Sequence, residues 1–76
     1  MIREHDRVLL TASLPNEGLE PGDIGAMVHI YPQREAYEVE FVTLTGKTAA
    51  VVTVAAGQIR PVGNTEIPHA RELAHR

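Results

Sequence analysis

The chain has 76 residues, which allows one domain with a single thin hydrophobic core. It contains no cysteine, and this excludes disulfide bonds, thiolate metal sites and a cysteine nucleophile. Ten acidic residues against seven basic ones give a net charge of −3, and two tyrosines and one phenylalanine are the only aromatic residues, so nucleic acid is a disfavoured partner.

The chain begins without an apolar run of signal-peptide length, and no segment approaches the roughly 18 apolar residues that a membrane span needs. We therefore expect a cytoplasmic protein without a membrane partner.

The run from Asp6 to Thr11 is β-prone and predicts a first strand. Residues 12–22 are rich in proline and glycine and predict a long loop after it.

Two segments with alternating apolar and polar residues predict a hairpin at the centre of the chain. Segments 25–31 and 37–41 have the period of strands with one buried face. Residues 32–35 have the length and polarity of a hairpin loop, which fixes the register. This register places three apolar pairs on one face: Ile30 with Tyr37, Val28 with Val39, and Ala26 with Phe41.

A second hairpin follows, with Thr45-Gly46 as its predicted two-residue turn. It continues the same inner face through three further pairs: Phe41 with Ala50, Val39 with Val52, and Tyr37 with Val54. Residues 55–58 then predict a single 3₁₀ turn, and residues 59–62 a short last strand. This order predicts an all-β fold, a small five-stranded SH3-like barrel over residues 1–62.

The apolar content falls after Gly63, and we assign residues 63–76 to a C-terminal tail. Residues 68–76 could form two helical turns with Pro68 in the first turn. A helix this short is marginal by itself. The sequence thus leaves two alternatives for the tail, a flexible segment or a short helix docked on the barrel or on a partner.

Four short motifs carry a resemblance to a known family: His5-Asp6-Arg7-Val8, Pro21-Gly22-Asp23-Ile24-Gly25, Tyr37-Glu38-Val39-Glu40-Phe41 and Gln58-Ile59-Arg60-Pro61-Val62. With them the chain resembles, over roughly residues 1 to 62, the DUF4926 family of small bacterial proteins. The resemblance implies an SH3-like barrel without assigned catalytic residues and an association with gene pairs of toxin-antitoxin type. The second motif is also similar to a turn in KOW modules and in the nitrile hydratase β subunit.

Few residues are candidates for catalysis or for binding a metal or a phosphate. The four histidines, at positions 5, 29, 69 and 75, lack the close spacing of recognised zinc ligands. Ser13 is the only serine and lies in the long loop, and the glycines around Pro21 precede a strand and not a phosphate-binding helix. We therefore expect no catalytic residue, no metal and no cofactor, and a protein that is not an enzyme.

The outer face of the predicted sheet offers a candidate binding surface. It should have an apolar centre and a charged rim, as protein interfaces do. The candidate residues are Met27, His29, Tyr31, Glu38, Glu40, Val42 and Val51. In the alternative interpretation, strand bending turns some of these outer positions back into a second part of the core, or the 12–22 loop and the tail cover the face.

These features favour a non-catalytic protein-interaction module, most concretely an antitoxin-like or regulatory partner of a cognate, basic protein. Edge strands of a small barrel also make a homodimer an expected state, with Arg60 and Pro61 guarding one edge. Two alternatives stay open: an accessory subunit of an enzyme, and a KOW-like nucleic-acid-binding module. The latter needs the dispersed basic residues to converge in space: Arg3, Arg7, Arg34, Lys47 and Arg60.

Overall fold

The computed structural model describes residues 2–73. Its strands are β1 (Arg7–Leu10), β2 (Ile24–Ile30), β3 (Ala36–Val42), β4 (Thr48–Ala55) and β5 (Ile59–Pro61). Three-residue 3₁₀ turns lie at Pro15–Glu17, Pro32–Arg34 and Ala56–Gln58. No helix within residues 2–73 has the length and apolar character needed to cross a membrane.

All five strands join one antiparallel sheet in the order β4-β3-β2-β1-β5. The predicted all-β class is therefore confirmed. The three-strand meander, the 3₁₀ turn before the last strand and the pairing of β5 with β1 are those of a small SH3-like barrel. The sheet is open between β4 and β5 in the described part of the chain.

The first hairpin keeps the predicted register only near its loop. The pair Ile30 and Tyr37 forms as expected, but an irregularity at Val28 then shifts the register by one residue, so that Val39 pairs with Met27. A shift of one residue exchanges the two faces of a strand. Met27 is consequently fully buried and Val28 is exposed, so the prediction of an outward Met27 and an inward Val28 is wrong.

The second hairpin has all three predicted pairs of the inner face: Phe41 with Ala50, Val39 with Val52, and Tyr37 with Val54. Its turn is one residue longer than predicted. The Gly46 N–H donates to the Thr43 carbonyl at 2.9 Å, and the Thr43 N–H donates to the Lys47 carbonyl at 2.7 Å. Gly46 has φ of 94°, a left-handed conformation that glycine adopts readily.

The core lies between the strands and receives one residue, Leu19, from the long loop after β1. Its buried hydrophobic members are Val8, Leu10, Leu19, Met27, Tyr37, Val39, Phe41, Val52, Val54 and Ile59. Every strand contributes to this set, so all five strands pack around one hydrophobic core despite the short chain.

The tail runs over the barrel as irregular chain. Residues 63–73 contain no helix, and the remaining residues of the predicted tail helix, 74–76, lie outside the described range, as does His75. Residues 68–73 border a cleft of about 500 Å³ whose other wall includes Leu19, Ile24, Phe41 and Ala49. The tail therefore lies beside the end of the sheet that carries the second hairpin turn.

Candidate functional site

The outer face of β2, β3 and β4 is built around two glutamates of the middle strand. Glu38 and Glu40 alternate along β3 with buried core residues, so their side chains point away from the core. Both are half-buried. Because β3 has a neighbour on each side, the two carboxylates occupy the centre of the face.

Threonine hydroxyls of β4 orient both carboxylates. Thr53 Oγ1 donates to Glu38 Oε1 at 2.8 Å, and Thr48 Oγ1 donates to Glu40 Oε2 at 2.6 Å. Within residues 2–73, the ion pairs of the protein involve other carboxylates, so neither glutamate has a cationic partner there. The face thus presents two oriented negative charges that the barrel itself does not neutralise.

Exposed apolar side chains surround the two glutamates. They are between 36% and 54% exposed and comprise Val28, Tyr31, Val42 and Val51. Val51 lies directly opposite Glu40, and Val42 pairs with Thr48 and not with Ala49, because the longer turn shifts the register there. The predicted apolar centre with a charged rim is therefore reversed: the charge is central and the apolar groups flank it.

An aromatic pair closes the β2 side of the face. The rings of His29 and Tyr31 are in edge-to-face contact, with centroids 4.6 Å apart and planes at 89°. His29 is also the cross-strand partner of Glu38, as predicted. These two rings therefore form the edge of the face next to Glu38.

Six of the seven residues predicted for the outer face lie on it, whereas Met27 is buried in the core. Sequence reasoning missed Val28, since no glycine or proline marks the bulge that turns it outward. It also missed the two threonines. The predicted β3–β4 register does place Thr53 directly opposite Glu38, whereas Thr48 pairs with Val42, where the register departs from the predicted one.

Neither the long loop nor residues 63–73 of the tail bury this face. The tail borders the same cleft as Val42 and Ala49, yet Val42 stays 44% exposed. Residues 13–17 of the loop lie across a groove of about 390 Å³ from residues 51–53, where Val51 stays 54% exposed. Within residues 2–73, Val42 and Val51 of the outer face therefore stay exposed on both sides.

Two arginines form ion pairs with carboxylates of the same chain. Arg60 forms two hydrogen bonds to the Glu66 carboxylate, at 2.9 and 2.7 Å, which with the Gly63 N–H lower the pKa of Glu66 from its usual 4.5 to about 2. Both side chains are partly exposed. The pair fixes the tail immediately after β5.

Arg71 makes the second attachment of the tail. Its Nε and Nη2 atoms donate to the two carboxylate oxygens of Asp23 at 2.8 and 2.5 Å, and Nη2 also donates to the Gly18 carbonyl at 3.0 Å. Burial alone would raise the pKa of Asp23, but the bonds from Arg71 and from the Glu20 N–H outweigh burial and lower it.

Within residues 2–73, no group of three or more histidine, aspartate or glutamate side chains is placed to hold a metal ion. The candidate site is thus a surface that combines charged and apolar side chains.

A model of the family described as Domain of unknown function (DUF4926) matches residues 4–61, which is the barrel without its tail. No curated protein and no solved structure matches the chain. Because the match covers all five strands and most of the sequence, the chain belongs to the DUF4926 family.

Proposed function

We propose that this protein is a non-catalytic interaction module that binds a cognate protein through the outer face of β2, β3 and β4. In this role it is an antitoxin-like or regulatory partner. The observation that supports the proposal is the pair Glu38 and Glu40, two oriented carboxylates without a cation from residues 2–73, flanked by exposed valines and a tyrosine.

The chemistry of this face favours a basic partner. Lysine or arginine side chains of a partner can bond the carboxylate oxygens that the threonines leave open. The apolar groups around them exclude water from such contacts when the partner docks, which makes each charged bond stronger. The protein's net charge of −3 acts in the same direction by accelerating the encounter with a positive surface.

A nucleic-acid ligand has less support. Arg60 and Arg71 are held by carboxylates of the same chain, and Arg34 donates to the Ile2 carbonyl at 2.9 Å. The outer face of β2, β3 and β4 carries the carboxylates of Glu38 and Glu40 at its centre, and these would repel phosphates.

The test is affinity capture from a lysate of the source organism, with and without nuclease treatment, using the tagged wild-type chain and the Glu38→Gln/Glu40→Gln double variant. We expect the wild type to retain one protein in stoichiometric amount and the variant to lose it. The capture should weaken as salt is raised, because charged contacts contribute to it. Identification by mass spectrometry should give a partner with a basic surface.

The matched control is Glu4→Gln/Glu17→Gln, which removes the same charge from exposed positions outside the face. It should retain the partner as the wild type does. Equal retention by all three chains would place the contact elsewhere on the molecule, and recovery of nuclease-sensitive material alone would favour the nucleic-acid alternative.

A further inference from the structure

The two edges of the sheet differ in how well they are protected. β5 is a three-residue strand that contains Arg60 and Pro61, and short strands with such residues resist pairing with another chain. β4 has eight residues, Thr-Ala-Ala-Val-Val-Thr-Val-Ala, without a charge or a proline. Natural edge strands of this length and apolar content are normally protected by charges, proline or a covering segment, and β4 itself carries neither a charge nor a proline.

Residues 51–53, at the centre of this edge, border a groove of about 390 Å³ whose other side consists of residues 13–17. In an antiparallel pair, successive residues direct their N–H and C=O groups alternately towards and away from the partner strand. The Ala56 N–H donates to the Glu35 carbonyl on the β3 side, so by alternation Val51 and Thr53 direct theirs away from β3. The Ala55 N–H, further along the same edge, is already bonded to the Gln58 side chain at 2.8 Å.

We propose that the β4 edge pairs with the β4 edge of a second copy of this chain, antiparallel and about a two-fold axis at Val52. Val51 of each copy then exchanges main-chain hydrogen bonds with Thr53 of the other copy. The β-branched side chains of these residues meet across the new strand pair, which is favourable packing for a sheet. Two five-stranded sheets become one continuous sheet with a contiguous outer face.

A second copy suits this edge better than a charged partner strand. The strand is uncharged, so it offers no complementary charge to a foreign segment, whereas its own copy meets it without like charges face to face. The nearest carboxylates, Glu38 and Glu40, lie on β3. Across the dimer, the two β3 strands are separated by three strand spacings, about 14 Å, which exceeds the screening length of about 8 Å at physiological salt.

The first test is sedimentation equilibrium of the full chain from micromolar to millimolar concentration, with the Val51→Lys variant and the Val28→Lys control. We expect the wild type and the control to dimerise, and the Val51→Lys variant to show a dissociation constant raised by about tenfold or more. Val28 is also an exposed apolar residue of the outer face, but it lies on β2, away from the edge. A wild-type chain that stays monomeric at millimolar concentration would overturn the proposal.

Amide hydrogen exchange of the wild-type chain provides a second measurement that needs no variant. The Val51 and Thr53 amides should exchange rapidly in dilute solution and become protected as the concentration rises, while the Val52 and Val54 amides stay protected throughout. A dimer in which the Val51 and Thr53 amides still exchange rapidly would place the contact at another surface. This dimer does not rest on the proposed function, since its test leaves Glu38 and Glu40 unchanged.

Discussion

The guanidinium of Arg71 forms a bidentate ion pair with the carboxylate of Asp23, 48 positions earlier in the chain, through hydrogen bonds of 2.8 and 2.5 Å. The two side chains are 27% and 16% exposed, so water screens the pair only in part. This contact joins Arg71, which lies beyond the residues matched by the family model, to Asp23 within them, and it attaches the tail to the turn that precedes β2.

Removal of this pair should release the tail and weaken the protein slightly. We expect Arg71→Gln to lower the free energy of unfolding by about 1 kcal/mol or less, the range of a partly exposed ion pair, and to increase the mobility of residues 68–73. Urea unfolding and ¹⁵N relaxation measure the two effects. Lys47→Gln removes the same charge from a residue without an ion pair within residues 2–73 and should change neither quantity.

Acidification should destabilise the protein through the carboxylates that hold the tail. The pKa of Glu66 is lowered from 4.5 to about 2 in the folded state, so at falling pH the unfolded chain binds the proton first. The stability that the Arg60 pair contributes is thus complete above about pH 4.5 and is lost towards pH 2. The lowered pKa of Asp23 adds a loss of the same sign.

An NMR titration of the Glu66 side-chain carboxyl should show this pKa near 2 in the wild type. In the Glu66→Gln variant, the melting temperature should fall less steeply with acidification than in the wild type. A normal pKa for Glu66, or identical acid profiles for the two proteins, would contradict the ion pair with Arg60.

Gly25 occupies a position where the sheet has no room for a side chain. A Cβ atom there would lie 2.6 Å from Val39 Cγ1, 2.9 Å from the Glu40 carbonyl oxygen and 3.0 Å from Phe41 Cδ1. We expect Gly25→Ala to destabilise the protein by about 1–3 kcal/mol, because the core must move to accept the methyl group.

Gly57→Ala is the matched control for this prediction. A Cβ atom at Gly57 would meet nothing within 4 Å, and its φ is not in the left-handed range. The control should be neutral or stabilise the protein by up to about 1 kcal/mol, since alanine restricts the unfolded chain. Equal unfolding free energies for the two variants would show that the β2–β3 contact is looser than described.

Much of the fold follows from the sequence because alternation and turn residues are local signals. The five strands, the 3₁₀ turn at Ala56–Gln58 and the β3–β4 register as far as the pair Phe41 and Ala50 were predictable from these signals. The bulge at Val28 was not, since both Met27 and Val28 are apolar and either can be buried without a penalty visible in the pattern. The tail contacts were not predictable either, because Asp23 and Arg71 are distant in the chain and common in solvated surfaces.

The same local signals explain the partial success for the candidate site. Glu38 and Glu40 alternate with core residues on a strand without irregularity between them, so their outward direction was predictable. The apolar residues around them depend on one inserted residue in each hairpin. Relative to the predicted registers, those insertions place Met27 in the core and Val28 on the outer face, and they make Thr48 the cross-strand partner of Val42.

Substitutions at the bulge test this assignment of faces directly. Met27 is fully buried, so Met27→Ala should lower the free energy of unfolding by about 2–5 kcal/mol through lost burial and a cavity. Val28 is 38% exposed, and Val28→Ala should cost less than about 1 kcal/mol. Chemical denaturation with unchanged m-values would measure both costs on the same scale. A larger loss of unfolding free energy for Val28→Ala than for Met27→Ala would contradict the bulge. It would indicate the regular register, in which the outer face carries Met27 in place of Val28.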